Sequence, residues 1–114
     1  AGVILGGAAC RVPVMLDGFV TGAAALIAVG FAPQCRDYLI AAHRSVERGH
    51  AIALQHLRLA PLMDLQLRLG EGTGACLGIG LVQAALNIYA HMATFSDAAV
   101  SGPVAGSPAG PPTP

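Results

Sequence analysis

Apolar residues in this chain fall in unbroken blocks more often than they alternate with polar ones. Val12-Pro13-Val14-Met15-Leu16 is short and continuous, as a strand buried on both faces of a parallel sheet requires, and Pro13 is tolerable near its start. Tyr38-Leu39-Ile40-Ala41-Ala42 repeats the pattern. Leu62 to Leu69 alternates instead, with Met63, Leu65, Leu67 and Leu69 set against Asp64, Gln66 and Arg68, which predicts a third strand. Pro61 could also open a helical turn at that point.

Segments of helical length separate these runs. Ala1 to Cys10 reads as the end of a buried helix without a start signal. Thr21 to Ala32, rich in Ala and Gly, predicts a closely packed crossover helix closed by Pro33. Ser45 is a good N-cap, with Glu47 in the first turn, for a helix running to about Leu59. From Ala75 to about Phe95 the chain predicts a long apolar helix, and residues 98–114, dominated by Ser, Gly, Pro and Ala, predict a disordered tail. Repeated strand-then-helix units make the fold class α/β with a parallel sheet.

Composition changes this picture in one respect. Apolar residues make up 54% of the chain and charged residues 11%, with a mean hydropathy of +0.64. A small domain that coats itself in charge is less apolar than this, so much of the surface is expected to be covered and the chain reads as a piece of a larger protein. Six arginines, no lysine and six scattered acids sum to zero net charge, and no basic face exists to follow a nucleic-acid backbone.

Cys10, Cys35 and Cys76 lie far apart in small or apolar surroundings, which predicts buried thiols in a reducing compartment and no disulfide framework. His43, His50, His56 and His91 lack the spacing of a metal motif, and His50 and His56 read as partly exposed helix residues. No metal is expected. Residues 72–96 carry no charge over 25 positions and residues 18–35 none over 18, so two membrane spans are possible by length. Against them stand the polar stripe Gln83, Asn87, His91 and the absence of aromatic belts and flanking lysines. The expectation is therefore no membrane.

The candidate chemistry collects at the carboxyl ends of the expected strands, where open α/β sheets bind ligands. Asp17-Gly18 follows the first, Ser45 the second and Glu71 the third. Asp17 is either the cap of the next helix or a ligand contact; Ser45 caps its helix and can serve a phosphate at the same helix end. In Arg68-Leu69-Gly70-Glu71-Gly72-Thr73-Gly74, the three glycines permit positive φ and close approach, so the amides of the following helix start would form an anion site. Glu71 would act as a base on another part of the ligand, or merely as a helix-capping acid beside a tight turn.

Three blocks in order carry a family resemblance: Pro13-Val14-Met15-Leu16-Asp17-Gly18-Phe19; Tyr38-Leu39-Ile40 leading to His43, Ser45, Glu47 and Gly49; and Arg68-Leu69-Gly70-Glu71-Gly72-Thr73-Gly74-Ala75. Over residues 1–97 the chain resembles the C-terminal third of the nicotinate-nucleotide:dimethylbenzimidazole phosphoribosyltransferase family. The resemblance implies the C-terminal part of a Rossmann-like domain ending in a long apolar helix. It implies transfer of phosphoribose from nicotinate mononucleotide to dimethylbenzimidazole, giving α-ribazole 5′-phosphate and nicotinate for the lower ligand of cobalamin.

By that resemblance Glu71 matches the catalytic base that removes the benzimidazole N–H proton. Leu69 and Gly70 line the substrates, and Gly18 and Ser45 hold the nucleotide; Asp17 and Gly72 join the expected substrate-binding residues from their places at the strand end and in the glycine turn. No cofactor is implied, and the full-length protein is expected to be a cytoplasmic homodimer. The family's glycine-rich phosphate segment and further acidic and lysine residues lie upstream of this stretch, so the piece alone is expected to be inactive. Two other readings stay open: a non-catalytic nucleotide-binding fragment, and a helical membrane fragment.

Overall fold

The computed structural model describes residues 1–68 and 70–99. Leu69 and, beyond Ala99, the tail expected from the sequence lie outside the described residues.

The elements follow in the order α1 (Gly2–Ala9), β1 (Val14–Leu16), α2 (Phe19–Phe31), a 3₁₀ segment (Pro33–Tyr38), β2 (Leu39–Ala41), α3 (Arg48–Leu57) and α4 (Thr73–His91). Among the described residues the sheet has two strands. They pair in parallel with Val14 opposite Leu39, Met15 opposite Ile40 and Leu16 opposite Ala41, so α2 is the crossover helix of a βαβ unit. The α/β class expected from the pattern is the one found.

Strand parity divides the packing. Leu16 and Leu39 point into the main core with Ile4 of α1, Ala25 and Ala28 of α2, Cys35 and Leu57 of α3. Met15 points the other way, towards α4, where a Cβ on Gly78 would come within 3.0 Å of its sulfur and 3.0 Å of Ala42 Cβ. The sheet is thus covered on both faces, as its unbroken apolar strands require. Small residues set the spacing: a Cβ on Gly22 of α2 would approach the His50 ring of α3 to 3.3 Å, and one on Gly49 would meet the Phe19 ring at 2.7 Å.

The third strand expected over Leu62–Leu69 is only begun. Met63 makes an isolated parallel bridge to His43, and the segment runs beside residues 41–46 through Leu62 N–H to Ala41 O, Met63 N–H to Ala42 O and Arg44 N–H to Met63 O. Gln66 then takes φ +56° and donates through Nε2 to Asp64 Oδ1 at 2.8 Å. A left-handed residue breaks the two-residue period, and Leu65 beside it is exposed while Met63 and Leu67 are half-buried.

Two further expectations are corrected. Of the cysteines only Cys35 is buried; Cys10 and Cys76 are exposed, because one lies just past α1 and the other on the outer side of α4. His50 is not a partly exposed helix residue but 1% accessible, packed between α2 and α3, while His56 is exposed.

Candidate active site at the strand ends

A cleft of about 320 Å³ opens where β1, β2 and the start of α4 converge. Asp17, Gly18, Phe19 and Thr21 line it from the end of β1, His43, Ser45 and Glu47 from the stretch after β2, and Arg68, Gly70 and Glu71 from the turn before α4. The structure therefore brings Asp17, Gly18, Ser45, Gly70 and Glu71 into one wall, from positions more than fifty residues apart. Gly72 stands directly behind it, and Leu69 lies outside the described residues.

The turn before α4 is built by two successive left-handed residues, Glu71 (φ +44°) and Gly72 (φ +95°). Gly72 adopts that conformation freely, whereas a residue with a Cβ does so at a cost of roughly 1–2 kcal/mol. Gly74 serves a different end. A Cβ there would collide with the His43 ring and stand 2.9 Å from Asp17 Oδ1, so its absence lets α4 start against the strand ends. Gly70 takes neither role; its carbonyl accepts from Thr73 N–H at 2.8 Å and from the Thr73 hydroxyl at 2.5 Å.

Asp17 corrects the sequence reading most sharply. It does not cap the helix that follows it, whose N-cap position is Gly18. Its Oδ2 accepts from Gly72 N–H and its Oδ1 from Ala75 N–H, both at 2.9 Å, so it caps α4 across the cleft. A carboxylate at a helix start satisfies orphan amides and complements the dipole. Two of the amides expected to cradle a substrate anion, those of Gly72 and Ala75, are thus already taken by the protein's own carboxylate, and that of Thr73 goes to the Gly70 carbonyl. Glu71, in turn, is no capping acid: its side chain is exposed to the cleft and forms no hydrogen bond or ion pair among the described residues.

Ser45 is displaced from its expected role too. α3 begins at Arg48 with Glu47 in the N-cap position, and the Ser45 hydroxyl accepts from Glu47 N–H at 3.3 Å in a local turn two residues earlier. The Ser45 amide donates to His50 Nδ1 at 3.0 Å. Burial in the α2–α3 contact pushes the His50 pKa below the ordinary imidazole value of 6.5; neighbouring His43 pushes the same way, and Asp17 opposes both.

His43 is a site residue that sequence reasoning passed over. It is 3% exposed, its Nε2 lies 3.8 Å from Asp17 Oδ1, and its Nδ1 has no hydrogen-bond partner among the described residues. The available signal was positional: it stands at the carboxyl end of β2, as Ser45 does. No group of three metal-ligating side chains occurs among the described residues.

Chemically, the cleft offers Glu71 as a free carboxylate, Glu47 as a second, and Arg68 as a cation, with both oxygens of Asp17 occupied by backbone amides. This arrangement favours proton acceptance and the stabilisation of positive charge over the capture of a phosphate.

The phosphoribosyltransferase model DBI_PRT matches residues 1–100. The chain belongs to this family. It is 67% identical over 101 residues to the nicotinate-nucleotide–dimethylbenzimidazole phosphoribosyltransferase of Desulforudis audaxviator, covering 89% of this chain and 29% of that protein. The enzyme of the same name from Roseiflexus castenholzii is 63% identical over 106 residues, covering 93% of this chain and 30% of the relative. The crystal structure of the corresponding phosphoribosyltransferase from Thermus thermophilus superposes with a TM-score of 0.83 at 50% identity, over 90% of this chain and 31% of that one. The chain spans about 30% of the length of the curated relatives it matches. Phosphoribosyltransferases of this family act on small molecules, and a cleft of this size suits part of one.

Proposed function

We propose that this chain supplies the base-bearing wall of a nicotinate-nucleotide–dimethylbenzimidazole phosphoribosyltransferase active site. The observation that carries the reading is Glu71: a carboxylate without internal partners among the described residues, fixed on a left-handed turn whose next amides are pinned by Asp17, facing a cleft shared with Gly18 and Ser45. In the reaction one benzimidazole nitrogen attacks C1′ of nicotinate mononucleotide. The new N–C1′ bond forms as the bond from C1′ to the pyridine nitrogen breaks, nicotinate leaves with that electron pair, and Glu71 takes the proton from the other benzimidazole nitrogen. Glu71 and Glu47 also place negative charge where C1′ becomes electron-poor.

Asp17 and Gly72 act here through the shape of the turn, Gly18, Gly70 and Ser45 line the nucleotide, and the phosphate is held chiefly by parts of the enzyme outside this chain. Leu69 is retained as a substrate-lining residue on the resemblance alone. The assembled enzyme is read as a cytoplasmic homodimer that needs no cofactor.

The test is a chimera in which this chain replaces the matching segment of the Desulforudis audaxviator relative. Formation of α-ribazole 5′-phosphate from nicotinate mononucleotide and dimethylbenzimidazole, lost on Glu71→Gln, is the expected result. A folded chimera that binds the nucleotide and gives no product would leave the non-catalytic nucleotide-binding reading. A second reading rests on α4, which is long and apolar enough to cross a membrane and only 11% buried. Partition of the chimera into the membrane fraction would favour it.

A further inference from the structure

We propose that His50, which lines no part of the cleft, is the positioning residue for Ser45: its unprotonated Nδ1 holds the Ser45 backbone in the cleft wall, and nucleotide affinity depends on that acceptor. The proposal rests on the nicotinate-nucleotide reading above and goes beyond it by naming a control point inside the fold.

The geometry leaves His50 little freedom. Its ring is 1% exposed, lies edge-on to His43 with centroids 6.1 Å apart, and fills the space that Gly22 of α2 leaves open, 3.3 Å from where a Cβ would stand. A ring enclosed in this way cannot turn without unpacking α2 from α3. Its Nδ1 sits 3.0 Å from the Ser45 amide, a buried hydrogen bond. An amide only donates, so Nδ1 must carry a lone pair, and a neutral ring with its proton on Nε2 is the state that fits.

Ser45 depends on this bond. On either side Arg44 N–H reaches Met63 O at 2.8 Å and Val46 N–H reaches Leu67 O at 3.2 Å, so the neighbouring amides are held by the 62–67 segment and the Ser45 amide by His50. Protonating His50 would set an N–H against an N–H and orphan a buried amide, which is costly. The titratable groups acting on the ring are His43, from the stretch after β2, and Asp17, from the end of β1; Gly22 of α2 and Ala53 of α3 add none. Burial and His43 favour the neutral ring, and Asp17 opposes them.

The sign follows. A histidine whose folded pKa is depressed contributes stability that is fully present above the unfolded value of about 6.5 and is lost as pH falls from there through the folded value.

The experiment measures nicotinate mononucleotide binding and kcat in the chimera described above, for the parent, His50→Asn and His50→Leu. An Asn amide oxygen replaces Nδ1 as acceptor and does not titrate. At pH 7.5, His50→Asn is expected to bind within about twofold of the parent, and His50→Leu about tenfold more weakly with kcat changed much less, a loss the size of one buried hydrogen bond. Between pH 7.5 and 5.0 the nucleotide's own phosphate titrates, equally for both proteins, so the parent-to-Asn ratio of Kd isolates His50. That ratio is expected to rise in acid.

Where His50→Leu fails to fold, the parent and His50→Asn decide alone. A ratio flat across the pH range, or equal affinity in the Asn and Leu variants, overturns the proposal while the functional reading stands. A parent that binds no nicotinate mononucleotide at any pH overturns both.

Discussion

Asp17→Asn separates a residue that shapes the site from one that touches the substrate. Asp17 spends both oxygens on α4, accepting from Gly72 and Ala75 amides at 2.9 Å, with a side chain 18% exposed. Asn keeps one acceptor and turns an NH₂ donor towards the other amide. The loss is then one hydrogen bond to a charged group, roughly 1.5–3 kcal/mol, together with the attraction of the carboxylate to the helix start, roughly 0.3–1 kcal/mol. Together these make about 2–4 kcal/mol, so opening of the turn becomes roughly 30- to 800-fold more frequent. Hydrogen exchange on a peptide covering residues 70–77 of the ligand-free chimera reads this directly, as faster exchange at Gly72 and Ala75 with the rest of the protein unchanged. Because Glu71 precedes Gly72, kcat is expected to fall with it, by about tenfold or more, while KM for the nucleotide moves little. Unchanged exchange together with a raised KM would refute this and return Asp17 to the substrate-contact role considered from the sequence.

Three shorter predictions accompany it, all in the chimera. Glu71→Gln keeps size and removes proton acceptance, so kcat on dimethylbenzimidazole should fall on the order of 100-fold with nucleotide affinity nearly intact; near-normal kcat would exclude Glu71 as the base. Ser45→Ala should raise KM for nicotinate mononucleotide by a factor equivalent to roughly 1–2 kcal/mol, whereas a lower melting temperature alone would leave its hydroxyl as a turn-forming group for Glu47. Gly74→Ala drives a methyl into His43 and Asp17 and should destabilise by roughly 1–3 kcal/mol, the usual cost of overpacking, read as a lower urea midpoint at unchanged m-value.

Elements whose pattern depends on local sequence were legible. The apolar runs at Val12–Leu16 and Tyr38–Ala42 became β1 and β2, and the helical segments at Thr21–Ala32 and from Ala75 became α2 and α4 within a few residues. The convergence of Asp17, Gly18, Ser45 and Glu71 was legible too, because a parallel βαβ unit puts successive strand ends on one side. What the sequence hid was decided by contacts between distant residues. Asp17 and the Gly72 and Ala75 amides are more than fifty positions apart, and nothing local distinguishes a carboxylate that caps the next helix from one that caps another. His50 looked like a partly exposed helix residue because its burial depends on Gly22, twenty-eight positions earlier. The alternation at Leu62–Leu69 suggested a full strand because the positive φ at Gln66 leaves no trace in hydropathy.

The division of labour along α4 explains how a site can be held by a helix most of which packs on nothing among the described residues. A helix of 19 residues is roughly 28 Å long, and only Gly74 and Gly78, both in its first two turns, are buried. Beyond them Leu81, Leu86, Ile88 and Tyr89 stand exposed, Tyr89 at 89%, on more than one side, and apart from the narrow polar edge of Gln83, Asn87 and His91 so apolar a helix surface is one that is covered in the working state. Whatever covers that distal half could swing the helix as a lever. The proximal anchors oppose such a swing: Asp17 pins the first amides, Gly74 rests against His43, and Gly78 rests on Met15 and Ala42. Glu71 therefore takes its position from the sheet end and not from the partner of the distal helix, so loosening the distal contacts should cost stability before it costs catalysis.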